Sequence, residues 1–166
     1  MQFTEPQPPV LQGADRARIV REVPRWQSRS RLSSGPAVLV VRIDQAADIL
    51  KVHGPVAAEQ LMMAITGALQ RRLRSQDRLA LVRDDEFLIV LPGVLPAVIR
   101  RIEQRLSDAV RGLRLSMAGR LWVLSSSIGV ACAPEGRLPA PSVQELVRQA
   151  DDDLHRVMAG EARRRA

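Results

Sequence analysis

Two residue sets in this 166-residue chain are of types and spacings that could do chemistry. The first is Arg74-Ser75-Gln76-Asp77. A turn can bring positions i and i+3 within about 7 Å of each other. From there a guanidinium can donate two bonds to N7 and O6 of a guanine, while a carboxylate can accept from the N–H groups on another edge of a guanine. The plainer alternative is a solvated Arg–Asp pair, since the motif is short and the chain rich in arginine. The second set is the acidic run Asp84-Asp85-Glu86 within RDDEF, 83–87. Carboxylates are the ligands of hard cations, and Asp is equally a residue of turns.

Composition narrows the ligand classes. The net charge is +7 and the isoelectric point about 11.3. Lys51 is the sole lysine, so the positive charge is almost all guanidinium, which forks onto phosphates and guanine edges. An anionic ligand or partner fits. Nucleic acid is disfavoured, because the basic residues are scattered and aromatics, which would stack bases, are only 2%. The single cysteine, Cys132, excludes a disulfide within the chain and reads as a buried structural thiol. No apolar run approaches the roughly 20 residues of a membrane span. The opening MQFTEPQPPV lacks the basic and apolar parts of a signal peptide. A cytoplasmic protein without a membrane span is expected.

The elements that must position these residues follow from the apolar pattern. Residues 1–13, rich in Pro and Gln, form a flexible N-terminal arm. Helical stretches follow from Asp15, interrupted by Pro24, and SSGP (33–36) makes a turn. AVLVVRI (37–43) is a continuous apolar, β-branched run and predicts a buried strand. Helices are predicted over about 45–52 and 57–73, separated at Gly54-Pro55. The second carries Leu61, Ala64, Ile65, Ala68, Leu69 and Leu73 on one face. RLALV and FLIVLP flank RDDE as a β-hairpin centred on 83–86. A helix over 96–111 turns Val98, Ile102, Leu106 and Val110 inward. Strands follow over 113–116 and 121–133. Ser142 and Glu145 form a capping box for a last helix reaching about Met158, and EARRRA (161–166) is a charged C-terminal tail. Alternating strands and helices plus a hairpin define an α/β layered domain.

The order of these elements and their local words resembles the GGDEF family, the diguanylate cyclase-like domains. RID (42–44) stands where the family has DxD, HG (53–54) resembles its GH turn, and RDDEF takes the place of GGDEF. SIGVA (127–131) matches the late strand, and LVRQADDDLHRVMAG (146–160) resembles the last helix, written LLxxADxALYxAKxxG. A weaker likeness extends to Asp15-Arg16. The resemblance implies a nucleotidyl-cyclase-like central mixed sheet flanked by helices, with one domain over 14–160 whose hairpin carries a degenerate RDDEF motif.

It also implies lost catalysis. Family members join two GTP molecules, one held by each of two facing domains with metal ions. Arg42 stands at a metal carboxylate position, where a guanidinium cannot ligate Mg²⁺. The other metal carboxylate is Asp85, read here as a turn residue because its partner is missing. Arg83 and Asp84 replace the two glycines, with Asp84 able to hold a left-handed turn. Leu50 and Glu59 replace the guanine-reading Asn and Asp. Met158 replaces a phosphate-binding Lys, and Ala162 the following Arg. Glu86 is the retained acid of the word. An arginine expected to substitute for the metal's charge should pair with Asp85, Asp84 or Glu86. Phosphoryl transfer rests on positioning and charge neutralisation, so an inactive domain with no metal and no cofactor is expected.

What survives is the family's inhibitory product site, an RxxD placed five residues before the GGDEF word. RSQD stands five residues, RLALV, before RDDEF. The family adds an arginine from the following helix, matched by Arg105, with Arg101 one turn earlier and Arg71 a further contributor. The resemblance thus implies a cyclic di-GMP receptor or effector working through Arg74, Asp77, Arg101 and Arg105, passing its signal through a protein partner or homodimer. The alternative is a nucleotide-independent protein-interaction domain in a signalling complex.

Overall fold

A computed structural model describes residues 10–11, 18–19, 35–135 and 139–165. The elements are β1 (Val10–Leu11), β2 (Gly35–Ile43), α1 (Ala46–His53), α2 (Pro55–Gln70), β3 (Arg78–Arg83), β4 (Glu86–Val94), α3 (Pro96–Arg111), β5 (Arg114–Met117), β6 (Arg120–Val123), β7 (Ser126–Cys132) and α4 (Val143–Arg165). The readings at Asp15-Arg16 and Pro24 lie outside the described residues.

Five strands form one sheet in the order β1-β3-β4-β2-β7, antiparallel except for the β1–β3 pair. β2 is an interior strand of it, bonded to β4 on one side and β7 on the other. That explains its unbroken apolar run, because a strand covered on both faces has no polar side. Its residues alternate between two cores. Ala37, Leu39, Val41 and Ile43 meet α1, α2 and α3, while Val38 and Val40 meet Val143, Leu146, Val147, Ala150 and Leu154 of α4. Each fully buried Leu, Ile or Phe in these layers contributes about 1.5–3 kcal/mol.

Several expectations are corrected. Gly35 and Pro36 begin β2 instead of making a turn. On α3, Ile99 takes the buried position and Val98 is 37% exposed, because the stripe 99-102-106-110 closes better on the sheet. The long strand over 121–133 is broken at Leu124-Ser125. β6 leaves the main sheet and pairs only with β5, as a separate two-stranded ribbon. Cys132 is free and only half-buried. α4 runs on to Arg165, so 161–165 continue a helix instead of a tail. Val10 and Leu11, assigned to the arm, pair with Leu79 and Ala80. The capping box at Ser142 forms: its N–H donates to Glu145 Oε2 at 2.8 Å, and the Glu145 N–H donates back to Ser142 Oγ at 3.2 Å.

Two local features hold the hairpin and last helix where a site needs them. Asp84 and Asp85 join β3 to β4, with Arg83 opposite Glu86 and a register shift between Leu81 and Arg83. Neither is left-handed: Ala118 is the sole non-glycine of positive φ among the described residues. At Gly129 of SIGVA, a Cβ would collide with the backbone of Ala150 and Leu154. Glycine is therefore required where α4 crosses β7, and the Val130 N–H donating to Asp153 Oδ2 at 2.9 Å fixes that crossing.

Candidate functional site

Arg42 lies near the end of β2, opposite Glu86 of β4 and Ser127 of β7. Sheet register alone therefore aims its side chain at the hairpin. Its Nη2 donates to Glu86 Oε2 at 3.1 Å, and its Nε lies 3.8 Å from Asp85 Oδ2. Nη1 donates to Met158 Sδ at 3.3 Å. Glu86 is 1% exposed and the Arg42 side chain 23%, so the acid of this ion pair is shielded from water. The expected pairing forms, chiefly with Glu86. The Ile43 N–H donates to the Asp85 carbonyl at 2.9 Å, tying the turn to the end of β2. Among the described residues no group of three or more His, Cys, Asp or Glu is arranged to hold a metal ion.

Beside this pair opens a cleft of about 1300 Å³ between α1, α2 and the hairpin. Leu50, Met62, Met63 and Leu81 supply its apolar lining, and Glu59, Arg83, Asp84 and Asp85 its charges. Arg83, Asp84, Leu50 and Glu59, assigned from the family pattern, are thus brought together. Met158 stands apart, over Arg42. Asp44, the last residue of RID, plays a part that sequence reading missed. It accepts from Ser125 Oγ at 2.5 Å and Ser127 Oγ at 2.8 Å, and Gln45 bonds Ser125 through both ends of its amide. The network holds the break between β6 and β7, and its signal in the sequence is the serine run 125–127.

The second candidate is the connection from α2 to β3. Asp77 Oδ2 accepts from the Arg74 N–H at 2.7 Å, and the Asp77 N–H donates to the Arg74 carbonyl at 3.0 Å. These reciprocal bonds close a turn. Asp77 is 6% exposed, whereas the Arg74 side chain is exposed. The motif is therefore not a solvated side-chain pair. From α3, Arg105 donates to the Arg72 carbonyl at 2.8 Å, crossing to the same connection. Arg78, not singled out from sequence, donates to the carbonyls of Ser75 and Asp77 at 3.2 and 2.9 Å. Its signal was its place directly after the motif. Arg71 and Arg101 are exposed nearby. Burial pushes the Asp77 carboxyl above its usual value of 3.8, opposed by the Arg74 N–H and the charges of Arg74, Arg105 and Arg78. A buried carboxylate at a turn with several arginines around it can accept from an N–H edge while the arginines take anionic oxygens.

Comparison with known proteins places this geometry. The family model described as "Diguanylate cyclase, GGDEF domain" matches residues 18–164. The chain is 27% identical over 137 residues to diguanylate cyclase DgcP of Pseudomonas aeruginosa, covering 82% of this chain and 20% of that protein. It is 27% identical over 127 residues to diguanylate cyclase DosC of Escherichia coli K12, covering 76% and 27%. It thus spans about a fifth to a quarter of these relatives. Among solved structures, the GGDEF domain of DgcB from Caulobacter crescentus in complex with c-di-GMP superposes with a TM-score of 0.75 at 17% identity, covering 89% of this chain and 86% of that one. Diguanylate cyclase SiaD, in complex with its activator SiaC, from Pseudomonas aeruginosa does so with 0.75 at 19%, covering 88% and 55%. With almost the whole described domain matched by the family model, the chain belongs to the GGDEF family.

Proposed function

We propose that this GGDEF domain does not make cyclic di-GMP and instead binds it, as a receptor, at the turn formed by Arg74 and Asp77 with Arg105 from α3. The observation carrying this reading is the turn that Asp77 closes on the Arg74 N–H, with Arg78 and Arg105 bonded to backbone carbonyls of the same connection. Arg101, one turn before Arg105, extends the cationic surface. An arginine can bridge guanine N7 and O6 or a phosphate, and the carboxylate supplies the acceptor that simple charge attraction lacks.

Loss of synthesis is supported by chemistry at the other site. The family's Mg²⁺ does not fit these residues: a guanidinium stands 3.1 Å from Glu86 and 3.8 Å from Asp85, where ligand oxygens would be needed. Leu50 offers no donor or acceptor to a base. We derive no step through a metal. Purified protein incubated with GTP and Mg²⁺ or Mn²⁺ is expected to yield no cyclic di-GMP, and sustained product formation refutes that half of the proposal. Calorimetric titration with cyclic di-GMP tests the other half. Saturable binding at micromolar ligand supports the receptor, and its absence returns the domain to the second reading, a protein-interaction module. That reading is favoured by the apolar side chains exposed around the cleft.

A further inference from the structure

The cleft beside the hairpin is elongated. Pro55, Ala58, Met62, Thr66 and Gln70 of α2 all line it. They recur every three or four residues, so one face of α2 forms a wall along the whole helix. At 1.5 Å per residue that wall is roughly 22 Å long. α1 adds Ala46, Ala47 and Leu50, and β3 with the hairpin adds Leu81 and the charged turn. A groove of this length suits an extended or helical occupant better than a compact one.

Its chemistry selects a basic, apolar occupant. The lining carries three carboxylates, Glu59, Asp84 and Asp85, against one guanidinium, Arg83. Asp85 lies 3.8 Å from Arg42 Nε, whereas Glu59 and Asp84 have no salt-bridge partner among the described residues. On a chain of net charge +7 this lining is locally acidic, so it repels phosphates and attracts cations. The apolar part is open to solvent: Met63 is 64% and Leu50 43% exposed. Methionine adapts its unbranched side chain to an irregular partner surface. Ala46, Ala58 and Gly67 add little bulk, so a second helix can approach to the packing distance of about 8–10 Å. A helix of about four turns, laid along α2, would bury its apolar face on Leu50, Met62, Met63 and Leu81. Lysines or arginines on its flanks would pass Glu59 and Asp84. That is helix-in-groove recognition with charge complementarity added.

We propose that the cleft receives a basic amphipathic helix of a partner protein, its apolar face on the methionines and its cations at Glu59 and Asp84. This names a partner for the protein-interaction reading and rests on it. It uses none of Arg74, Asp77 or Arg105, so it stands apart from the cyclic di-GMP reading. The probe is a fluorescent peptide of about 16 residues, with leucines at helical i, i+3, i+4 spacing and lysines elsewhere. Anisotropy is titrated with the full chain at about 0.15 M salt, where distant exposed charges are screened. Saturable binding at micromolar protein is expected. A peptide with glutamate in place of lysine, and one of the same composition without helical spacing, should each bind at least about 10-fold more weakly. Glu59→Lys with Asp84→Lys should weaken the lysine peptide by about 100-fold and strengthen the glutamate peptide, since the charges across the contact are then exchanged. Leu50→Ser with Met63→Ser should weaken it by about 10-fold. Glu135→Lys with Asp152→Lys makes the same change in net charge at exposed positions outside the cleft, and should bind like wild type. No saturable binding to wild type, equal binding of the glutamate peptide or of the one without helical spacing, or an equal loss in the Glu135 and Asp152 variant each overturns the proposal. So does wild-type self-association, seen by sedimentation without peptide, that the Glu59 and Asp84 variant loses, because a second copy then fills the cleft. Titrating wild type and variants with cyclic di-GMP separates the readings: peptide binding without ligand binding fails the receptor alone, and the converse fails this proposal alone.

Discussion

Asp77 closes a turn through its Oδ2 on the Arg74 N–H and is the acceptor proposed for a guanine, and its variants can separate the two. Asp77→Ala should cost about 1–2 kcal/mol of stability through the lost turn bond and should also weaken cyclic di-GMP binding. Asp77→Asn still offers an oxygen to Arg74, so it should keep the melting temperature near wild type while losing affinity. Retained affinity in Asp77→Asn would argue against guanine recognition by the carboxylate. Arg74→Ala should weaken binding about 10- to 150-fold, from roughly 1.5–3 kcal/mol per charge-assisted bond at 1.4 kcal/mol per decade. The raised Asp77 pKa has a definite sign. Its protonated form is favoured in the fold, so its contribution to stability is fully present below the usual value of 3.8 and is lost as pH rises through the raised value. Ligand binding, which uses the ionised form, should weaken on acidification before an ordinary Asp would titrate, a shift absent from Asp77→Asn in calorimetry across pH. Arg42 offers a second test. Arg42→Met removes the ion pair from the buried Glu86 and should destabilise by about 3–5 kcal/mol, read as a lower melting temperature. Arg42→Asp gathers carboxylates instead, and its melting temperature should rise with Mg²⁺ and fall with EDTA, whereas the wild type should respond to neither.

At the scale of elements, the fold depends on how closely α4 lies over β7. A Cβ at Gly129 would meet backbone atoms of Ala150 and Leu154, which cannot swing aside as a side-chain tip could. Gly129→Ala should therefore destabilise by about 1–3 kcal/mol or more, read as a lower urea midpoint. A wild-type midpoint would mean that α4 stands off the strand. The apolar word SIGVA marks a strand, and the glycine within it is explained by the helix crossing it. The hairpin shows the opposite case. Arg83 and Asp84 replace residues that allow positive φ, yet β3 and β4 still meet, because the turn at 84–85 adopts no left-handed residue.

For the whole molecule, charge is the property with a measurable consequence. At +7, with nearly all of it guanidinium, attraction of an anionic ligand is partly long-range and screened by salt. Affinity for cyclic di-GMP should fall as NaCl is raised and then level off, because contacts to base edges around the buried Asp77 are screened less than exposed charges. Binding abolished by moderate salt would indicate a basic surface without base recognition. Among the described residues no helix is long and apolar enough to cross a membrane.

The sequence by itself determined the family, the buried strand β2, the hairpin position and the α2–β3 connection carrying RSQD. Each is local: a run of β-branched residues, a turn between two strands, or a capping box is set by neighbours in the chain. Arg42's pairing was legible because β-sheet register ties the end of one strand to the turn beside it. The tertiary structure decided what depended on distant partners. Periodicity on α3 could not choose between Val98 and Ile99, since both fit an apolar stripe until the sheet's position is known. The apolar run over 121–133 read as one strand, because the serines at 125–127 do not by themselves show that the distant Asp44 and Gln45 capture Ser125 and divert the ribbon from the sheet. Asp77 read equally as a solvated partner of Arg74, and only the fold, which buries it and lays Arg105 and Arg78 onto the same connection, set that pair aside.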